Sequence, residues 1–296
     1  MKNPDFFIVG APRCGTTAMY NYLKKHPEIF MSVPKEPWYF GTDITCKFRP
    51  SLENYLHYFS MAKNEKRVGE ASPIYLSSTL AAKEIKEFNP LARIIIMLRN
   101  PVDFLHSFHA KNLTLGYENI TDCGNALKAE EARKQKKMDL PKKAEMAPAC
   151  LQYKQMAKFS EQVERYLDVF GKENVFIIIY DDFKENTAKV YRDTLLFLGV
   201  YPDFNISFPV YNKNFRLRSK FLSHLHVNDH PSLKHSSSLP ARVLVKLFKR
   251  INKWNTIAEP RQSMNPDLRN QLQKEFEPEV QRLSKLIGRD LNHWTS

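Results

Sequence analysis

The 296-residue sequence has little of what marks repeat, disulfide-rich or zinc-binding proteins. Its nine glycines are too few for a low-complexity or repeat protein. Its four cysteines, Cys14, Cys46, Cys123 and Cys150, show no C-x-x-C spacing, and no histidine pair stands near them at zinc-finger spacing. The sequence therefore predicts no metal site, and we expect reduced thiols because no secretion signal is visible.

Long hydrophobic runs are missing too. The first apolar run, residues 6–9, is too short for the core of a signal peptide. No other run approaches the roughly 20 apolar residues that a membrane-spanning helix needs. We therefore expect a cytoplasmic protein without stable membrane insertion.

Acidic residues are the scarcer charged class, with 32 Asp and Glu against 45 Lys and Arg, which gives a net charge of +13. This excess favours anionic partners such as nucleotides, acidic glycans, nucleic acid or a membrane surface, without choosing among them. Hydrophobic residues make up 43% of the chain, which is enough for a core and excludes global disorder.

Short apolar runs alternate with helical patterns along the chain. The runs at residues 6–9, 93–98 and 175–180 are continuous, as expected for strands buried in a parallel sheet. Helical patterns follow or lie between them, at residues 17–25, 80–88, 102–110, 152–170, 187–198 and 266–288. The alternation predicts an α/β fold, with a mostly parallel sheet and helices on both faces.

Two stretches interrupt this alternation. Residues 111–150 are charged and have little apolar periodicity, so we predict a partly helical insertion there. Residues 224–240 are typical of a polar loop, and residues 241–254 form a basic amphipathic pattern. We predict a single domain over residues 1–296 that carries both features.

A phosphate-binding loop is predicted between the first strand and the first helix. Residues 10–17, GAPRCGTT, fit the spacing G-x-x-x-x-G followed by two threonines. Glycines in such a turn let backbone N–H groups converge on an anion, and the helix N-terminus adds its dipole. The lysine of a kinase loop is absent because Thr16 takes its place, and the cation lies inside the loop as Arg13.

The segment IVGAPRCGTTAMYNYLKKHPEI resembles the loop of sulfotransferases that binds 3′-phosphoadenosine 5′-phosphosulfate (PAPS), usually P-K-[ST]-G-T-T. It is most similar to the branch with bacterial and heparan sulfate sulfotransferases, except that Arg13 replaces the usual lysine. The resemblance implies a P-loop-type fold and PAPS as donor, with 3′,5′-ADP as product and no metal. It also implies a nucleotide-binding loop made of Arg13, Cys14, Gly15, Thr16 and Thr17.

A second anion site is predicted around Arg99 and Ser107. Arg99 follows an apolar strand, and Ser107 lies eight residues on, within a predicted helix. Ligands of open α/β sheets bind beyond the carboxyl ends of the strands, so both side chains can reach one phosphate. The segment resembles the 3′-phosphate motif of the family. A basic stretch with Arg216, Arg218 and Ser219 more loosely resembles the late loop that closes over the nucleotide.

The segment Lys35-Glu36-Pro37-Trp38-Tyr39-Phe40 resembles the K-E-x-x-[FY]-F motif of glycan sulfotransferases, in which the glutamate is proposed as base. An attacking hydroxyl must lose its proton during transfer. The resemblance therefore implies that Glu36 is the general base of an in-line displacement. We expect the aromatic residues 38–40 to shield its carboxylate from water, and Lys35 to stabilise developing charge.

Two further features leave the chemistry partly open. Residues 69–76, GEASPIYL, resemble the family segment E-K-[ST]-P-x-Y-[FL], but Ala71 stands where glycan enzymes often carry lysine, and Glu70 is compensating or structural. His106 and His109 are the other base candidates, since they share a helix face and the cytosolic aryl-sulfotransferase branch uses a histidine. We rank them below Glu36.

Two other functions remain open. A P-loop kinase of small molecules would need a lysine near Thr16. A non-enzymatic basic protein would bind nucleic acid or membrane through its charge and residues 241–254, but no nucleic-acid-binding motif is visible. For a sulfotransferase, residues 224–254 are expected on the acceptor side. The sequence leaves the acceptor open, as a hydroxyl or amine of a glycan or small molecule, and leaves the oligomeric state open.

Overall fold

The computed structural model describes residues 2–44, 49–211, 215–217, 239–258 and 263–295. Two compact units form. The larger comprises residues 1–211 and 264–296, and the smaller comprises residues 212–263.

A five-stranded parallel sheet forms the centre of the larger unit. Its strands lie in the order β2-β3-β1-β4-β5. They span Phe6–Gly10 (β1), Ile29–Met31 (β2), Arg67–Ala71 (β3), Arg93–Leu98 (β4) and Val175–Ile179 (β5). Because β1 is flanked by β3 and β4, the segments that follow these three strands meet at one edge of the sheet.

Helices flank this sheet, so the predicted α/β architecture is confirmed. The helices of the described residues are α1 (Thr16–Leu23), α2 (Leu52–His57), α3 (Ala81–Phe88), α4 (Pro101–Leu115), α5 (Cys123–Lys134), α6 (Tyr153–Met156), α7 (Phe159–Phe170), α8 (Tyr180–Glu185), α9 (Thr187–Leu198), α10 (Leu239–Asn255) and α11 (Pro266–Ile287). All except α10 belong to the larger unit.

The core is apolar and lies on the sheet. The residues of β1 are all buried, and in β4 only Arg93 is partly exposed. This burial on both faces explains why these two strands are continuous apolar runs in the sequence. The aromatic side chains of Phe6, Phe7 and Phe104 are fully buried with them.

Local sequence sets the start of the helix that carries the second anion motif. Asn100 caps α4, and its Oδ1 accepts hydrogen bonds from the backbone N–H groups of Val102 at 2.9 Å and Asp103 at 3.3 Å. Pro101 occupies the first helical position, where its missing N–H costs no intrahelical bond. Asn100 also donates from Nδ2 to the carbonyl of Trp294 at 2.9 Å, which ties this corner to the C-terminal segment.

The predicted elements differ from the observed ones in a few places. Residues 152–170 form two helices, α6 and α7, separated at residues 157–158. The strands β2 and β3 were not predicted. Residues 111–150 contain the end of α4, all of α5 and two short 3₁₀ turns, and their description as an insertion stays a prediction.

The smaller unit contains α10 and a two-stranded antiparallel ladder of β6 (Phe215–Leu217) and β7 (Thr256–Ala258). The basic amphipathic pattern at residues 241–254 therefore lies within a helix, α10. The polar loop predicted at residues 224–240 lies outside the described residues up to residue 238.

Candidate active site

The predicted phosphate-binding loop joins β1 to α1 directly. β1 ends at Gly10, and Gly15 is the N-cap of α1 with a φ of 92°. A side chain at Gly15 would be strained in this left-handed conformation, and its Cβ would lie 3.0 Å from the ring of Phe183. Thr16 and Thr17 begin the helix, whose first N–H groups have no partner within the helix. The turn therefore has the form of an anion cradle.

Arg13 links this loop to the second predicted anion motif. Its Nε donates a hydrogen bond to Ser107 Oγ at 3.1 Å. Burial lowers the pKa of Arg13, and the positive charge of nearby Arg99 lowers it further, while Cys14 and Tyr180 oppose the change. Arginine nevertheless stays protonated in proteins. Two arginines with Ser107 thus form an electropositive cluster suited to a polyanion.

Arg99 is held in place on two sides. Its guanidinium carbon lies 4.9 Å from the centroid of the Tyr180 ring, and its Nη2 lies 3.5 Å from Asp103 Oδ2. Asp103 in turn pairs through Oδ1 with Arg269 of α11 at 2.6 Å. The side chain of Arg99 is 21% exposed. Its contacts orient it, while its exposed part is accessible to a ligand.

Cys14 presents no side-chain surface to a ligand, and its backbone N–H already donates to the carbonyl of Ala11 at 3.3 Å. Its side chain is fully buried, its thiol donates to the carbonyl of Pro12 at 3.4 Å, and burial raises its pKa to about 12. Among the described cysteines, Cys14, Cys123 and Cys150 are thiols and not half-cystines. Cys46 lies outside the described residues.

The Lys35–Phe40 segment lies beyond the end of β3. The backbone N–H of Glu36 donates to the carbonyl of Ala71 at 3.2 Å, and Lys35 Nζ forms an ion pair with Glu36 Oε1. The side chain of Glu36 is 39% exposed, so residues 38–40 do not shield it as predicted. Trp38 and Tyr39 are half-buried, and Phe40 packs into the core.

The backbone is strained at three residues of this region. Arg13, Glu36 and Trp38 adopt φ values of 65°, 63° and 56°, which residues other than glycine seldom take. Within the described part of the chain, Lys136 is the other residue of this kind. Such conformations persist only where surrounding contacts enforce them, and they concentrate at functional sites.

Lys111 joins this site, although the sequence analysis did not name it. It lies one helical turn beyond Ser107 on α4 and is half-buried. Burial lowers the pKa of its ammonium group, nearby Arg13 lowers it further, and the carboxylate of Glu36 opposes both. Its i,i+4 spacing from Ser107 is the sequence signal that could have identified it.

Glu70 is fully buried directly before Ala71, and burial raises the pKa of its carboxyl group to about 7. Hydrogen bonds from Ser72, Tyr55 and Tyr75 oppose this rise, as does the charge of Lys35. Because it has no exposed surface, Glu70 cannot touch an acceptor in this conformation.

The two histidines occupy different environments. His109 is buried, its Nε2 lies 2.9 Å from the carbonyl oxygen of Ile120, and burial lowers its pKa. His106 is half-buried beside Ser107. The burial and backbone contact of His109 are those of a packed core histidine.

The late basic loop is only partly described. Arg218 and Ser219 lie outside the described residues, and Arg216 belongs to β6 of the smaller unit, where only its backbone is described. Their assignment to the nucleotide stays a prediction.

No group of three or more His, Cys, Asp or Glu side chains suited to a metal ion occurs in the described ranges. Within those ranges, too, every helix is too short or too polar to cross a membrane.

Comparison with known proteins supports the family resemblance. A solved sulfotransferase from Alicyclobacillus acidocaldarius is similar over 100% of both chains, with a TM-score of 0.74 and 28% identity. Bifunctional heparan sulfate N-deacetylase/N-sulfotransferase 3 of Homo sapiens is 24% identical over 219 residues, which cover 69% of this chain and 23% of the relative. Carbohydrate sulfotransferase 15 of Mus musculus is 27% identical over 256 residues, which cover 67% of this chain and 44% of the relative.

The chain thus spans less than half the length of these curated relatives. The family model described as "Sulfotransferase domain" matches residues 3–286, which is nearly the whole chain. Together with the five-stranded parallel sheet and the loop at its centre, this match shows that the chain belongs to the sulfotransferase family and has its P-loop-type fold.

Proposed function

We propose that this protein transfers a sulfuryl group from PAPS to a hydroxyl or amine of a glycan or small-molecule acceptor. The observation that carries the proposal is the bond between Arg13 and Ser107, because it brings the loop for the 5′ side of a nucleotide to the motif for its 3′-phosphate. Arg99, oriented on Tyr180, supplies a second cation beside them. A donor with phosphate groups at both ends matches these two anion sites.

The proposed reaction is an in-line displacement at sulfur. A bond forms between sulfur and the acceptor oxygen while the bond between sulfur and the bridging oxygen of the donor breaks. Glu36 takes the proton of the acceptor hydroxyl, and its partial exposure leaves its carboxylate within reach of an incoming acceptor. Lys35, paired with Glu36, becomes available to the developing charge as the carboxylate is protonated.

Arg13 and Lys111 are proposed to stabilise charge that builds on the leaving phosphate and the sulfuryl oxygens. In the segment that resembles E-K-[ST]-P-x-Y-[FL], Ala71 stands in place of the lysine that glycan sulfotransferases often carry. Lys111 interacts electrostatically with both Arg13 and the proposed base, Glu36. It therefore offers a second cation from a different element of the fold.

The acceptor class is inferred from charge and from the relatives. The net charge of +13 favours an acidic acceptor. The donor is itself an anion, so part of the excess of basic residues serves to bind the donor. Two relatives are named for heparan sulfate and carbohydrate sulfation. A glycan or acidic small molecule is therefore the first class to test. A cytoplasmic location stays a prediction.

The kinase alternative lacks support at the loop, where Thr16 replaces the lysine that reaches the β- and γ-phosphates. A thermal-shift comparison separates the two functions. 3′,5′-ADP is expected to raise the melting temperature more than ATP with Mg²⁺, and Arg99→Ala is expected to abolish most of that rise. Mass spectrometry of an acceptor panel with PAPS then detects the added mass of one SO₃ group. Stabilisation by ATP alone, with ATP turnover, would overturn the proposal.

A further inference from the structure

A buried carboxylate lies beneath the segment that carries the proposed base. We propose that Glu70 is a positioning residue: through the hydroxyls of Ser72 and Tyr75 it fixes the backbone of residues 38–40, and with it the place of Glu36. The inference rests on the proposed function for the role of Glu36, while the hold on the backbone can be measured independently.

Two relays of hydrogen bonds connect Glu70 to that backbone. Ser72 Oγ donates to Glu70 Oε2 at 2.8 Å and accepts from the N–H of Trp38 at 3.4 Å. Tyr75 OH donates to Glu70 Oε1 at 3.3 Å and accepts from the N–H groups of Tyr39 at 2.8 Å and Phe40 at 3.2 Å. Three successive backbone N–H groups are therefore held by hydroxyls that bond to one carboxylate.

The chemistry of a carboxylate explains why glutamate occupies this position. A hydroxyl that accepts from a backbone N–H keeps its own proton to donate, and it needs an acceptor for that proton. When it is ionised, as above about pH 7, the carboxylate has acceptor sites only, so it draws both hydroxyl protons toward itself and leaves the hydroxyl lone pairs for the loop N–H groups. An amide at this position would add donors that compete with the backbone N–H groups for the same oxygen atoms.

Burial of Glu70 is costly for the fold. The side chain is fully buried, and an apolar residue of similar size would avoid the desolvation of a carboxylate. A third hydroxyl, that of Tyr55, donates to Oε1 at 2.8 Å but makes no bond to residues 38–40. The carboxylate thus accepts three hydroxyl hydrogen bonds, one more than the two that connect it to the loop. The additional bond fixes the position of the carboxylate.

The strained backbone above Glu70 needs such a support. Glu36 and Trp38 are in the left-handed region, a conformation that relaxes unless surrounding contacts enforce it. The end of β3 supplies contacts on both sides, since the carbonyl of Ala71 accepts from the N–H of Glu36 and the Glu70 relays hold the next residues. The carboxylate of Glu36 is thereby held at the edge of the sheet where the phosphate loop also lies.

The test compares Tyr75→Phe with Tyr55→Phe. Both tyrosines are fully buried, and each variant removes one hydroxyl that donates to Glu70 Oε1. Only Tyr75 holds the loop backbone. Hydrogen exchange of the amides of Tyr39 and Phe40 is expected to become about tenfold faster or more in Tyr75→Phe and to stay unchanged in Tyr55→Phe. Equal exchange in the two variants would overturn the proposal.

A double-mutant cycle tests the link to Glu36. If Tyr75 acts by positioning Glu36, then Tyr75→Phe lowers turnover in the wild type but adds little to Glu36→Gln. Multiplicative losses would mean a general structural role and would contradict the inference. Glu70→Gln is expected to match Tyr75→Phe in exchange and coupling. Normal turnover of Glu36→Gln would instead refute the proposed base, while amide exchange in Glu70→Gln would still decide the role of Glu70: exchange as slow as in the wild type would overturn it.

Discussion

Arg13 and Ser107 are 94 positions apart in the sequence, yet Arg13 Nε lies 3.1 Å from Ser107 Oγ. The bond crosses from the segment after β1 to the helix after β4, which are adjacent strands of the sheet. Because Arg13 bonds to Ser107, a substitution of either residue is expected to affect both predicted anion sites.

Arg13 is expected to contribute more to turnover than to donor affinity. Charge builds on the leaving phosphate during transfer, so the Arg13 guanidinium stabilises the transition state more than the bound donor. Arg13→Ala should lower kcat more than it raises the donor KM, while Arg13→Lys, with the residue usual in the family, should keep substantial activity. If Arg13→Ala changed only KM, the residue would be an anchor of the ground state.

Arg99 is expected to determine the preference for a 3′-phosphate. The wild type should use PAPS in preference to adenosine 5′-phosphosulfate, which lacks that group. Loss of one charge-assisted contact costs about 1.5–3 kcal/mol, or roughly 10- to 150-fold in donor affinity. Arg99→Ala should remove most of the preference. Arg192→Ala, at a largely exposed ion pair with Asp203, is the matched control and should retain it.

Glu36→Gln is expected to bind 3′,5′-ADP normally and to lose roughly 10²–10⁴-fold in turnover, the range for loss of a general base. The amide keeps the size of the side chain but cannot take the proton. Rates should be measured with a hydroxyl acceptor, because an amine can lose its proton to solvent after attack.

The histidines provide the contrast for Glu36. His106→Asn and His109→Asn should each leave turnover within about tenfold if they are structural. A near-normal Glu36→Gln enzyme together with an inactive His106→Asn enzyme would reverse the assignment of the base.

Lys111→Gln is expected to lower kcat by about tenfold or more, because it removes a cation that interacts electrostatically with Arg13 and with the proposed base, Glu36. Lys111→Arg should recover part of the activity, since it restores the charge with a different geometry. Lys83→Gln, on the exposed surface of α3, is the control for loss of a positive charge. Equal activity of all three variants would exclude a role for Lys111 in transfer.

Glu70 predicts a specific pH dependence of stability. Its pKa is raised from 4.5 to about 7 in the folded state, so ionisation is harder there than in the unfolded chain. The fold therefore loses stability as pH rises between these two values, and the loss is complete above about pH 7. A shift of this size corresponds to about 3 kcal/mol.

Glu70→Gln has no such titration. The free energy of unfolding of the variant minus that of the wild type should therefore increase as pH rises from about 4.5 to about 8. Glu130, whose pKa is also raised to about 7 by burial, titrates in both proteins and cancels in the difference. A difference that is constant with pH would contradict the predicted titration.

The sequence predicted the parts of the fold that local patterns encode. Residues 6–9, 93–98 and 175–180 were recognisable as strands because both faces of the sheet are covered and the runs are continuous. β2 has only three residues, and β3, with the sequence RVGEA, contains a glutamate and a glycine in place of an apolar run. Neither strand has a local pattern that distinguishes it from a loop.

The candidate site divides in the same way. Arg13, Arg99 and Ser107 stand in motifs with fixed spacing, so each could be named in advance, and Arg13 and Ser107 do meet in the structure. The relation of Glu70 to Tyr75 and Tyr39 depends on how the end of β3 packs under a distant loop. No local propensity or spacing encodes that contact, because it is set by the tertiary fold.

The left-handed backbone at Arg13 and Glu36 has a consequence for the engineering and evolution of this enzyme. Glycine at either position would relieve the conformational strain but would remove a side chain that the proposed mechanism requires. A library of variants selected only for resistance to heat is therefore expected to be enriched in glycine at residues 13 and 36 and to lose transfer activity. Selection for turnover alone would keep the strained residues, so robustness and catalysis are opposed at these two positions.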